Sequence, residues 1–330
     1  MKTWRRKPAL GVGIGVGVLG ALALAIRYGL GHAAREPIPD AISPAIFSTR
    51  VVRTGFGEMI YHASGSGEPL VFLHGVFLGA SSYEWSKVYP QFVSDHEVIA
   101  PDLIGFGESE RPATPMDAAD YAEALAEFLR EVSPGRRPVV VASGLSAGIS
   151  LLLAARHPEA VSKLVLFLPT GLKEFRNWRA MGMLALRGIP GVSRFVYRSY
   201  LARKPFIRNW LTRSALVDPS SATDEMVEIF ATCAQQYGAE HAILGFLRGH
   251  LAFAIERGLQ EVAVPVHILW PDRATGFPSD GGASICRRIP GASLESLPGC
   301  GILAALENPA LLSEAVDRSL RGVPPAAAPL

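Results

Sequence analysis

Gly144-Leu145-Ser146-Ala147-Gly148 is a G-x-S-x-G pentapeptide set between the apolar run Pro138 to Ala142 and the helix-like run Ile149 to Arg156. This junction constrains the fold more than any other stretch. A buried β-branched strand that feeds straight into a helix demands a tight turn, and flanking glycines let backbones approach while the serine stays at the apex. A short motif in a chain holding 33 glycines matches easily by chance, so its strand and helix flanks carry the inference.

Around that junction, short apolar strands alternate with helical patterns. Strands are expected at Thr49 to Arg53, Glu58 to Ala63, Leu70 to Leu73, Val98 to Ala100, Val139 to Ala142, Lys163 to Leu168, Val264 to Trp270 and Ser293 to Leu297. Helices are expected at Ser81 to Tyr89, Ala118 to Val132, Ala283 to Arg288 and Pro309 to Leu320. Such alternation predicts an α/β fold with a mostly parallel central sheet flanked by helices, and ligands beyond the carboxyl ends of its strands. Residues 47–170 and 259–321 form the core in two parts, 171–258 a helical lid and its return, and 322–330 a disordered tail.

The lid carries a charge signature. Between Lys173 and Arg213 ten basic residues face one acid, Glu174, with Phe175, Trp178, Phe195, Tyr197, Tyr200, Phe206 and Trp210 interleaved. Two readings stay open: a solvated basic face with its aromatics turned inward, or contact with an anionic membrane surface. The whole chain has a net charge of only +2, which gives no indication of nucleic acid. Cys233, Cys286 and Cys300 are scattered, with no C-x-x-C pair. That excludes a disulfide scaffold, leaves at most a Cys286-Cys300 bridge, and argues against a zinc site.

His74-Gly75, the stretch from Pro101 to Ser109, Gly144 to Gly148, and Glu307-Asn308-Pro309 together resemble the α/β-hydrolase superfamily, in its lid-bearing branch of esterases, epoxide hydrolases and dehalogenases. The resemblance implies that fold, with Ser146 as nucleophile and the backbone amides of Ala147 and Val76 as the oxyanion hole. It implies a structural role for His74, which would shape its loop, and for Asp102, which would hold the loop through Gly107. It implies no cofactor and no metal.

The other two members of the family's triad are missing. Where the family carries its acid, the chain reads Trp270-Pro271-Asp272-Arg273-Ala274, with Ala274 at the acid position. Where the base belongs, Gly301-Ile302-Leu303 puts Ile302, and His267 is the last histidine of the chain. His241 and His250, at the end of the lid, are the speculative substitutes for the base, and Asp272 for the acid. A serine hydroxyl is a poor nucleophile until a base takes its proton.

Three functions follow from these residues. One is an enzyme acting on an ester- or thioester-like apolar substrate through Ser146 with an incomplete triad. Another is a non-catalytic protein of the same fold that binds a small apolar or lipid-like ligand. The third is a scaffold for a membrane complex.

The N-terminus bears on all three. Lys2, Arg5, Arg6 and Lys7 precede Pro8 to Ile26, 19 residues without a charge, which as a helix span roughly 28 Å. Residues 1–34 are expected to anchor the chain in a membrane, and the Pro-rich residues 35–46 to act as a stiff linker. The basic residues place the domain on the extracytoplasmic side. Export with cleavage near Ala21-Leu22-Ala23 or Ala23-Leu24-Ala25, and a cytoplasm-facing domain, are the alternatives. Gly11, Gly13, Gly15 and Gly17 give G-x-x-x-G spacing suited either to self-association of the anchor or to a lone helix. Protease added to intact cells with permeabilised outer layers should digest the domain, whereas digestion only after lysis would refute the extracytoplasmic placement.

Overall fold

A computed structural model describes residues 42–171, 191–251, 253 and 258–322. The expected anchor, most of the linker, the first part of the lid and nearly all of the tail lie outside the described residues. Among the described residues no helix is long and apolar enough to cross a membrane.

Eight strands form one sheet: β1 Ser48–Thr54, β2 Gly57–Ser64, β3 Glu68–Leu73, β4 His96–Pro101, β5 Val139–Ser143, β6 Lys163–Phe167, β7 Val266–Pro271 and β8 Ser293–Leu297. Their order is β1-β2-β4-β3-β5-β6-β7-β8, with β2 antiparallel to both neighbours and all later pairings parallel. Leu70 to Leu73, Val140 to Ser143, Leu164 to Phe167 and all of β7 are buried. These continuous apolar runs, rather than alternating ones, are what a parallel sheet covered on both faces requires.

The helices follow from local signals. In α1, Ala118–Val132, Asp117 caps the first turn by accepting from the Ala119 and Asp120 amides while Asp120 reaches back to the Asp117 amide. Next come α2, Gly144–Arg156, and the lid helices: α3 Val192–Val196, α4 Lys204–Trp210, α5 Asp224–Gln235 and α6 Ala239–Arg248. After β7 the chain adds α7 Gly281–Cys286, α8 Ala304–Glu307 and α9 Pro309–Leu320. Glu307 accepts from the Val217 and Asp218 amides, which fastens the middle of the lid segment to the closing helices.

One expected element needs correction. Ser81 to Tyr89 forms no α-helix; the segment makes 3-10 turns at Ser82–Trp85 and Tyr89–Phe92, pinned by burial of Tyr83, Trp85 and Tyr89. At the end of the expected linker Ile42 is buried and Ser43 Oγ lies 3.1 Å from Tyr89 Oη. Cys286 and Cys300 form no bridge, and all three cysteines are free thiols.

The register places the site. Leu73 pairs with Ala142, Ser143 with Phe167, and Phe167 with Leu269, so the loops leaving β3, β5, β6 and β7 gather at one edge. Gly148 lets α2 lie directly on the loop after β6, since a Cβ there would overlap the Thr170 carbonyl oxygen. Gly148→Ala should therefore lower the unfolding free energy by about 1–3 kcal/mol in urea denaturation; an unchanged midpoint would show that this contact can relax.

Candidate functional site

The turn between β5 and α2 is made by one residue. Ser143 is still extended at φ −117° and ψ 146°, and Gly144 turns the chain at φ +56° and already begins the helix. A Cβ built on Gly144 would meet only the Gly75 Cα, at 4.0 Å, so there is room there for a side chain that glycine does not supply. Gly144 is partly exposed, whereas Val140 to Ser143 and Leu145 to Leu151 are buried.

Ser146 does not occupy the apex, which corrects the expectation from the pentapeptide. It is the third residue of α2, fully buried, and its hydroxyl donates to the His74 carbonyl at 2.6 Å. Ala147 shifts with it. As the fourth helical residue its amide is directed at the Ser143 carbonyl, and the helix leaves the amides of its first three residues without intrahelical partners. Leu145, which follows the apex, thus holds the amide that the Ala147 expectation had in view. Val76 is buried in the loop after β3.

The frame was readable from strand length. A strand ending at Ala142 leaves three residues before Ser146, too many for a sharp turn, whereas counting from the strand end points to Gly144.

At the acid position Ala274 is 9% exposed and packs in the core. Asp272, the substitute acid, is exposed and accepts from the Cys300 amide at 3.3 Å. At the base position Ile302 packs partly buried against the core. The substitute bases do not converge on Ser146. His241 lines a cavity of about 10 Å³ with Ile104, Pro115 and Tyr121, and His250 is exposed beyond α6. Among the described residues no imidazole hydrogen-bonds to Ser146.

The buried polar groups around the turn are structural. His74 is enclosed; its Nε2 accepts from the Leu103 amide at 3.0 Å, leaving Nδ1 to donate to the Gly75 carbonyl at 2.7 Å. Burial pushes its pKa below the usual imidazole range, opposed by Asp102, and fixes it neutral. Asp102 accepts from the Ser82 and Glu108 amides at 2.6 and 2.7 Å, and a Cβ on Gly107 would overlap its carboxylate. His157 bonds Glu123 at 2.9 Å, away from the turn.

Glu84 was not singled out by the sequence. It is 2% exposed, accepts from the Gly75 amide at 2.6 Å, and is hydrogen-bonded by the Ser143 hydroxyl. It thereby ties the loop after β3 to the last residue of β5. Phe77, Trp210 and Phe230 cluster beside Gly75, with ring centroids 5.6 Å apart from Phe77 to each of the others. The lid's basic residues are partly neutralised from within: Arg194 and Arg198 flank buried Glu240 at 3.2 and 2.8 Å, Lys204 pairs with Glu228, and Arg208 with Asp224. Those acids lie on α5 and α6, beyond the stretch where the basic excess was counted.

Residues 68–309 match the family model described as the alpha/beta hydrolase fold. The chain belongs to the α/β-hydrolase superfamily. It is 25% identical over 300 residues to an uncharacterized protein of Mycobacterium tuberculosis, covering 88% of this chain and 85% of that one. It is 27% identical over 277 residues to an uncharacterized hydrolase of Bacillus subtilis, covering 83% and 97%. A 2-hydroxymuconate semialdehyde hydrolase of a Pseudomonas species is 38% identical over 112 residues, 34% of this chain and 40% of that one. Among solved structures, a serine hydrolase involved in carbazole degradation aligns with a TM-score of 0.70 at 20% identity, covering 83% and 99%. A membrane phospholipase A aligns at 0.69 and 22%, covering 94% and 97%.

In this α/β-hydrolase-fold chain the Glu84 carboxyl should be visible in pH titrations. Burial raises its pKa from 4.5 to about 7, against the lowering effect of the Ser143 and Gly75 hydrogen bonds. Because the folded state keeps the proton longer than the unfolded chain, stability attributable to Glu84 should fall as pH rises from about 4.5 to 7, by about 3 kcal/mol. Glu84→Gln should lack that slope in denaturant titrations across the same window; parallel curves for both proteins would contradict it.

Proposed function

We propose that this α/β-hydrolase-fold protein binds a small apolar or lipid-like ligand beside Gly144 and does not hydrolyse it by a serine triad. The observation that carries the reading is the identity of the turn residue. The position from which the fold presents a nucleophile holds a glycine, and Ser146 is buried with its hydroxyl directed at a backbone carbonyl. Alanine and isoleucine at the acid and base positions act in the same direction. The aromatic rings of Phe77, Trp210 and Phe230 next to Gly75 offer an apolar wall to such a ligand.

Hydrolysis of an ester or thioester remains the second reading, favoured by the hydrolases among the relatives. A donor cradle and dipole alone leave about 10³- to 10⁴-fold over water. Residues 8–26 would hold the domain at a membrane, on its extracytoplasmic face, where lipid-like ligands are at hand. A scaffold role in a membrane complex would use the same anchor and its glycine spacing.

Fluorophosphonate treatment of the full chain separates the two main readings. The binding reading expects no labelling above that of Ser146→Ala, and a change in Trp210 fluorescence on titration with a long-chain fatty acid that is absent from Trp210→Phe. Rapid labelling abolished by Ser146→Ala would establish the hydrolase instead.

A further inference from the structure

We propose that His62, Asp102 and Glu108 form a zinc-class divalent-cation site. His62 is on β2, Asp102 follows β4, and Glu108 lies in the loop that returns from it. Each offers one ligand atom, and these atoms all lie within 4.8 Å of one another. His62 Nε2 and Glu108 Oε2 are 3.4 Å apart. Metal bonds of about 2.1 Å in a tetrahedral arrangement put neighbouring ligand atoms roughly 3.4 Å apart.

The second observation is the state of His62. Its side chain is 3% exposed, and buried Nε2 has no hydrogen-bond partner, although it is aimed at two carboxylates. A buried polar atom left in this condition is uncommon and calls for a ligand. The other ring nitrogen, Nδ1, lies 3.2 Å from Thr49 Oγ1, so a second residue orients the ring as it does for metal-binding imidazoles. A metal-binding imidazole is neutral and offers the lone pair of a nitrogen such as Nε2.

The carboxylates are held in advance. Asp102 is immobilised by the Ser82 and Glu108 amides, each of which uses one lone pair of one oxygen. The Glu108 side chain is about a third exposed, giving an ion a path in and leaving its open coordination to water. Arg111 is the competing cation. Its guanidinium interacts favourably with Asp102 and Glu108 while bonding to the Gly107 carbonyl, so an ion would bind in competition with it.

One imidazole and two carboxylates favour zinc or another borderline transition ion over calcium and magnesium, which take oxygen ligands. An ion held here would join β2 to the end of β4 and the loop carrying Gly107. The cysteine count does not reach this site, because its donors come from three separate segments and include no thiol.

The full chain, stripped with chelator, should bind one equivalent of zinc by calorimetry and show a thermal midpoint that rises with zinc concentration. His62→Gln should lose both effects, and Glu108→Gln should weaken binding at least tenfold. Cobalt in place of zinc should give visible d–d bands without thiolate charge-transfer absorption. Binding unchanged in His62→Gln, a thiolate signature, no retained equivalent, or a larger effect from calcium than from zinc would each overturn the assignment.

Discussion

The left-handed backbone at Gly144 sets the geometry of everything near it. β5 runs extended through Ser143, the chain reverses in a single residue, and α2 begins at once. The Gly144 carbonyl then accepts from the Thr170 amide, and Gly148 lets the helix settle on the same loop. Leu168, just upstream, also takes positive φ, at 50°, a conformation that costs a residue with a Cβ about 1–2 kcal/mol. Two sharp departures from adjacent parallel strands are thus bonded to each other. Ser146, fully buried beside them, points inward to the His74 carbonyl.

Buried polar groups hold the neighbouring loops in place. Glu84 links the Gly75 amide to Ser143, His74 links the loop after β3 to the Leu103 amide, and Asp102 gathers one amide from the segment after β3, that of Ser82, and one from the loop after β4, that of Glu108. Each is almost fully enclosed, so each unmade bond would cost the desolvation of its group. The fold therefore keeps the shape of a reaction site through contacts that need neither a nucleophile nor a base. These contacts hold the family's framework around Gly144, Ala274 and Ile302.

Much of the framework was legible in sequence because parallel strands buried on both faces write themselves as unbroken apolar runs. Helix α1 and strand β8 match their expected bounds, and the strands diverge from theirs by no more than a few residues. The site was less legible for a physical reason. The G-x-S-x-G pattern reads composition, whereas the turn is decided by where β5 stops, and the motif matches in a frame two residues late. Glu84 was missed since a single acid in the segment Ser81 to Trp85 carries no periodic signal; only the fold brings it under Gly75. The lid's basic character was overstated for a related reason, as Glu240, Glu228 and Asp224 reach back from later helices.

Cysteine alkylation can read directly whether the turn presents Gly144 and turns Ser146 away. Gly144→Cys and Ser146→Cys would each be exposed to a small maleimide under native conditions, with peptide mapping to resolve the natural thiols. The cysteine at 144 should react readily, and the one at 146 should stay protected until the chain is unfolded. A cysteine at 146 that reacts as fast as the one at 144 would contradict that arrangement.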